Sequence, residues 1–292
     1  SLFNSMIKKR LTKYLWLAPI GLLVILVLYN NWQVGWLNVR VNQEKAKAKE
    51  EARPANLEVT LLQSADCPLC SSLDPYLDYL EKNGGQLNKI NKVEVKSVEG
   101  QALLEKYQIS KAPGLIISGE LAKKETLKKF FDANGEIIDN IFVFRNVFPP
   151  YYDLLNSSVK GLVNLTMIRD SACTECYDVS AHQKIIENFG VKLNEVKEVL
   201  SNSATGQALI KQYQLPYLPT IVLSPEIELY PQVRQLWPQL GKISADGSYV
   251  FTEGVKQMGV YHDLVSSKII KPASSADGSA APANNPEPAN QP

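Results

Sequence analysis

Every cysteine in the chain belongs to one of two C-x-x-C pairs, and the second pair stands 106 residues after the first: Cys67 maps to Cys173 and Cys70 to Cys176. The same offset carries Gly100-Gln101-Ala102-Leu103 onto Gly206-Gln207-Ala208-Leu209, Tyr107-Gln108 onto Tyr213-Gln214, and Pro113 onto Pro219. A constant spacing over so long a span marks an internal duplication. Tyr151 and Asp153 match Tyr261 and Asp263 at an offset of 110, which places a small insertion in the second copy after its proline. The body is therefore expected to be two copies of one domain, over 57–160 and 161–271. That count agrees with 292 residues at roughly 150 per domain.

The charge balance, 31 Lys+Arg against 30 Asp+Glu, leaves no electrostatic footprint for nucleic acid. A hydrophobic share of 45% with 21% charged residues excludes wholesale disorder, a collagen-like chain and a polytopic transporter. Only two histidines are present, which argues against His-rich metal sites and Ser/His/Asp catalysis and leaves the cysteines as the centre of any chemistry.

The two ends differ from the body. Tyr14 to Tyr29 form an uncharged apolar run that continues through Trp32 and Trp36 to Leu37, so a membrane span is expected over 14–37. Lys8, Lys9, Arg10 and Lys13 predict that residues 1–13 stay on the cytoplasmic side and the domains lie outside, although Arg40 and Lys45 to Lys49 reduce the asymmetry. No Ala-x-Ala site follows Tyr29, which speaks against a cleaved signal peptide. Residues 38–56, rich in Ala, Lys and Glu and ended by Pro54, read as a solvated stalk, and 272–292 as a disordered tail.

Within the first copy, 57–63 reads as a strand, and Leu73, Leu77 and Leu80 fall at helical spacing after the cysteines. Residues 92–98 alternate as a strand, 100–109 read as a helix, and Pro113 precedes the apolar run 115–118. The second copy repeats this order, and 141–145 and 247–251 each add a strand. Tyr107 and Tyr213 are expected in the core, His182 at the surface, and the repeated Tyr-x-Asp-Leu in a turn closing each domain.

A C-x-x-C on the first turn of a helix brings two sulfurs within disulfide reach, while the helix start favours a thiolate. The first cysteine of each pair is then the expected nucleophile and the second resolves the mixed disulfide. Asp66 and Glu175 put negative charge beside the sites, which disfavours the thiolates. Structural staples are one alternative, although a four-residue loop contributes only about 2 kcal/mol by loop-closure entropy. A shared four-thiolate metal site is another, against which stands the long interval between the pairs.

Strand, C-x-x-C, helix, strand, helix and a proline opening the next strand resemble the thioredoxin-like superfamily, and Cys67-Pro68-Leu69-Cys70 resembles its glutaredoxin and disulfide-oxidase type. The tandem layout is similar to protein disulfide oxidoreductases and protein disulfide isomerase. The resemblance implies an α/β fold of two tandem thioredoxin-like domains, each a central mixed sheet flanked by helices, after one N-terminal transmembrane helix. It also implies that Pro113 and Pro219 are cis and that they, with Ala112 and Leu218 before them, face the cysteines and help bind substrate backbone. Neither Asp66 nor Ala172 matches the tryptophan common before the first cysteine, and the closing helix of the family is not evident at 151–157 or 261–267. The expected activity is thiol–disulfide exchange through Cys67, Cys70, Cys173 and Cys176. It would run outside the cytoplasmic membrane, with no cofactor or metal beyond the disulfides, on protein thiol or disulfide substrates and with a redox partner. A non-catalytic scaffold with structural disulfides and a metal-delivery protein remain the alternatives.

Overall fold

The computed structural model describes residues 17–272, which fall into two compact units divided between Ala55 and Asn56. The basic cluster at 8–13, residues 14–16 and the tail from 273 lie outside the described residues. Among its described residues the first unit is one helix, α1 (Leu17–Ala52), so most of the expected span and most of the expected stalk form a single rod. At 1.5 Å per residue its 36 residues extend about 54 Å. Pro54 stops it, since proline cannot donate the helical N–H bond. The helix contains a window long and apolar enough to cross a membrane, and Leu22, Ile25 and Leu28 on it stay more than 60% exposed.

The second unit holds two sheets with the same strand order. In the first copy, β1 (Ala55–Gln63), α2 (Asp74–Lys82), β2 (Gly85–Glu94), α3 (Val98–Tyr107), β3 (Lys111–Ala112), β4 (Gly114–Gly119), α4 (Glu125–Asn134), β5 (Gly135–Ile138) and β6 (Ile141–Phe144) build a sheet ordered β2-β1-β4-β6-β5. A hairpin follows, β7 (Tyr151–Asp153) and β8 (Ser158–Lys160), and joins β3 in a separate three-stranded sheet. The second copy runs β9 (Leu162–Arg169), α5 (Ala181–Asn188), β10 (Lys192–Leu200), α6 (Ala204–Tyr213), β11 (Tyr217–Leu218) and β12 (Thr220–Leu223). It continues through a 3-10 turn at Pro225–Leu229, α7 (Pro231–Leu240), β13 (Gly241–Ile243), β14 (Tyr249–Phe251), α8 (Val255–Met258), β15 (Tyr261–Asp263) and β16 (Lys268–Ile270). Its sheets, β10-β9-β12-β14-β13 and β11-β15-β16, reproduce the first copy strand for strand. The larger is mixed, with β9 and β10 parallel and β12 antiparallel to β9. The fold class is thus α/β, with two tandem sheets flanked by helices after an apolar helix.

The repeated Gly-Gln-Ala-Leu has a local cause. Ser97 caps α3 by accepting from Gly100 N at 3.0 Å, and Ser203 caps α6 from Gly206 N at the same distance. A Cβ at Gly100 would lie 2.2 Å from the Glu94 carbonyl oxygen, and at Gly206 2.1 Å from that of Leu200, so each helix start packs on the end of the preceding strand only if glycine stands there. Gln101 and Gln207 then donate to the carbonyls of Val95 and Ser201 at 2.6 and 2.7 Å. Gln108 and Gln214 end the helices in the left-handed conformation.

The strand expected over 92–98 instead spans Gly85–Glu94, because Ser97 already caps α3. Where a closing helix would stand, each copy has its hairpin. The Asp153 carboxylate accepts from Leu155 and Asn156 N at 3.0 and 3.2 Å, and Asp263 accepts from Val265 and Ser266 N at 2.9 and 3.1 Å, so the Tyr-x-Asp-Leu repeat does close each domain with a turn. The insertion in the second copy resolves into one residue before β14 and three around α8. Tyr107 and Tyr213 are buried as expected.

Candidate functional site

Both C-x-x-C pairs are closed as disulfides, with Cα separations of 5.3 Å for Cys67–Cys70 and 5.5 Å for Cys173–Cys176. The pairs are not on the first turn of a helix. α2 begins at Asp74 and α5 at Ala181, four and five residues beyond Cys70 and Cys176, so the thiolate support expected from a helix start is absent at both sites. The cause is a tether in the intervening chain: Ser71 N donates to the Pro150 carbonyl at 2.8 Å and, at the equivalent place, Tyr177 N to that of Val260 at 2.9 Å. Each tether ties the residue after the second cysteine to the approach of β7 or β15, and helical hydrogen bonding resumes only past it.

Three segments converge on each disulfide. The Ala112–Pro113 and Leu218–Pro219 bonds are cis, and the carbonyl oxygens of Ala112 and Leu218 lie 3.6 and 4.0 Å from the Sγ atoms of Cys70 and Cys176. Ala112 and Leu218 are themselves in β3 and β11, paired with Tyr152 in β7 and His262 in β15. The backbone edge implied for substrate is therefore already paired, at these two residues, with the chain's own hairpin. Exposure runs opposite to the expected order of attack: Cys67 and Cys173 are buried at 6% and 7%, whereas Cys70 and Cys176 are part-exposed.

The acidic neighbours are neutralised. Asp66 pairs with Lys96, whose hydrogen bond holds the carboxyl below its usual range, and Glu175 pairs with Lys271. Their expected effect on the thiolates is therefore offset by a lysine at each site.

The surroundings of the second disulfide contain groups that sequence reasoning passed over. Asp170, 5% exposed, accepts from Ala172 N at 3.0 Å and Ser201 Oγ at 3.2 Å through one oxygen, and meets His262 Nδ1 at 2.7 Å through the other. Its carboxylate and both sulfurs lie within 4.8 Å of one another. In the first copy the same places hold Ser64, whose buried Oγ has no hydrogen-bond partner, and Tyr152. The signal lay in the repeat itself: aligned copies that agree at Tyr151/Tyr261 and Asp153/Asp263 differ at the residue between them.

His182 is not at the surface. It is 3% exposed, because it lies one turn before buried Ile186 on the core face of α5, edge-on to Phe251 at 4.7 Å. Burial pushes its imidazole down to about 4. The Tyr177 hydroxyl donates to the Pro219 carbonyl at 2.8 Å, so its oxygen receives the proton of His182 Nε2 at 3.2 Å. A neutral histidine thus braces the cis proline of the second site through a tyrosine. The first copy has Ser71 and Tyr76 at these places, with Ser71 Oγ donating to the Pro149 carbonyl at 2.8 Å and Tyr76 against Phe144.

Beside Pro113 a cleft of about 840 Å³ opens between the copies, walled by Ser71, Tyr76 and Phe148 from the first and by Phe189, Tyr230 and Gln232 from the second. No charged residue lines it.

No family model matches the chain, and no curated protein matches it. Among solved structures, ERdj5 in crystal form I aligns at 8% identity over 57% of this chain and 23% of that one, with a TM-score of 0.19. Full-length ERdj5 aligns at 7% identity over 59% and 25%, also at 0.19. The first two thioredoxin domains of Naumovozyma dairenensis Eps1p align at 14% identity over 70% and 87%, at 0.16. The chain spans about a quarter of the length of the ERdj5 chains. The fold rests on the strand order and proline geometry above.

Proposed function

We propose that the chain is a membrane-tethered thiol–disulfide oxidoreductase that exchanges disulfides with protein thiols outside the cytoplasmic membrane. The observation that carries this reading is that both C-x-x-C disulfides sit against a cis proline, each at the same point of a duplicated sheet. A four-residue loop adds little stability, so two such pairs are poorly explained as staples. Closed disulfides fit an oxidising compartment, and the exposed apolar stretch of α1 fits a lipid anchor. The uncharged cleft beside Pro113 supports a polypeptide segment with apolar side chains as substrate of the first pair.

Trapping tests this. In cells, one cysteine of a pair changed to serine leaves a mixed disulfide that its partner cannot resolve. Cys67→Ser and Cys70→Ser, and likewise Cys173→Ser and Cys176→Ser, are expected to yield adducts that dithiothreitol releases, and the better trap in each pair identifies the attacking sulfur. No adduct with any of the four variants would support the scaffold reading.

A further inference from the structure

We propose that the second pair, when reduced, is a zinc site: Cys173, Cys176 and Asp170 supply three ligands, His262 orients the carboxylate, and closing the disulfide expels the ion. A carboxylate oxygen of Asp170 and the two sulfurs lie within 4.8 Å of one another. With metal bonds of about 2.0–2.3 Å, such a set meets one ion after the small shift that parts the sulfurs on reduction. Two thiolates with one carboxylate suit Zn²⁺, whereas Mg²⁺ and Ca²⁺ take oxygen sets and Cu⁺ takes sulfur alone. A carboxylate has about four lone-pair positions, and three are used: Ala172 N and Ser201 Oγ on one oxygen, His262 Nδ1 on the other. The position left for a metal is on the oxygen that meets His262, so the histidine fixes the ligand from outside the coordination sphere. The hairpin delivers that imidazole, since His262 pairs with Leu218. Cys176 is part-exposed and gives the ion a route, and Glu175 is held out of the set by Lys271. A fourth position stays open to water or an incoming thiol. The first copy has Ser64 and Tyr152 at the places of Asp170 and His262, so its pair offers two thiols and no carboxylate.

Binding and release balance. Two thiols give two protons to solvent as Zn²⁺ binds the dithiolate. On release an incoming disulfide, from a protein or from oxidised glutathione, is the oxidant. The Cys173–Cys176 bond forms, the incoming S–S bond breaks and accepts the two electrons, and with two protons from water its sulfurs leave as thiols. Zn²⁺ keeps its charge throughout and departs because disulfide sulfurs lack the negative charge that held it. Zinc therefore favours the reduced form of this pair by mass action, and occupancy reports the redox state. Binding itself does not depend on catalytic exchange.

The test titrates Co²⁺ into the full chain in detergent, reduced and freed of reductant under argon, and reads the thiolate-to-cobalt charge-transfer absorption. With Cys67→Ser and Cys70→Ser isolating the second pair, one Co²⁺ per chain is expected, displaced by Zn²⁺, which binds more tightly. With Cys173→Ser and Cys176→Ser leaving the first pair, binding is expected to be weaker by about a hundredfold. Asp170→Asn in the second pair is expected to weaken binding by a similar factor, and His262→Gln by about tenfold, the lower end for a group that orients a ligand. Equal affinity of the two pairs, or Asp170→Asn binding as its parent does, would overturn the site and leave only the metal affinity of any close dithiol. Should urea unfolding show that Asp170→Asn has lost its fold, Ser64→Asp decides instead: placed beside the first pair, it is expected to tighten binding there about tenfold, and no gain overturns the proposal. The serine traps are read separately. Adducts without metal binding sink the zinc site and keep the exchange reading, and metal binding without adducts does the reverse.

Discussion

The two C-x-x-C sites occupy the same point on the same scaffold and differ in what surrounds the sulfur. At the first, Ser64, Ser71, Tyr76 and Tyr152 stand where the second has Asp170, Tyr177, His182 and His262. Both histidines of the chain and a buried carboxylate are thus gathered around one of two otherwise equivalent disulfides. The duplication conserves what the backbone requires, namely the glycine under the strand end, the serine cap, the cis proline and the aspartate of the hairpin turn. It diverges where side chains meet the sulfur or brace its proline. The scaffold is therefore shared while the surroundings of the sulfur differ, with the ionisable side chains gathered at the second site.

The strongest way to break this comparison is through the shared glycines. Gly100→Ala and Gly206→Ala each force a Cβ to within 2.2 and 2.1 Å of a backbone oxygen, so each is expected to destabilise its copy by about 2–4 kcal/mol in urea unfolding. Unequal costs would show that the copies are not packed alike.

The next effect separates the copies. His182 titrates at about 4 in the folded chain against an ordinary 6.5, so between these values the unfolded state holds a proton that the folded state lacks. Its contribution is complete above pH 6.5, falls as the pH drops towards 4, and levels off below, a loss of roughly 3 kcal/mol across the window. His182→Tyr, which installs the residue of the first copy, is expected to flatten that part of the pH–stability curve. An unchanged slope would place the acid sensitivity elsewhere. Smallest is the pair of caps: Ser97→Ala and Ser203→Ala are each expected to cost about 1 kcal/mol, equally in the two copies.

The duplication, the fold class, the paired cysteines and the core faces of β1, α2, α3 and α6 were legible because each is written in local pattern or in spacing. The placement of the cysteines ahead of the helices was not, because it depends on tethers from Ser71 and Tyr177 to residues about 80 positions away. His182 was misread for a related reason: a polar residue on a short helix reads as surface until a tyrosine hydroxyl supplies its partner. The helices α4 and α7 are written in the sequence as well, since Leu127, Phe130 and Phe131 on α4 and Val233 and Trp237 on α7 fall at helical spacing and are buried. Asp170 and His262 lie 92 residues apart, and only the pairing of β15 with β11 brings them together.

The most direct measurement is the reduction potential of each pair, taken on the full chain in glutathione buffers with Cys→Ser changes that leave one pair at a time. The account predicts potentials between about −120 and −270 mV, the range of thiol-exchange proteins, with a different value and a different pH dependence for the second pair. Values below about −300 mV for both pairs would mark them as structural disulfides and contradict the account.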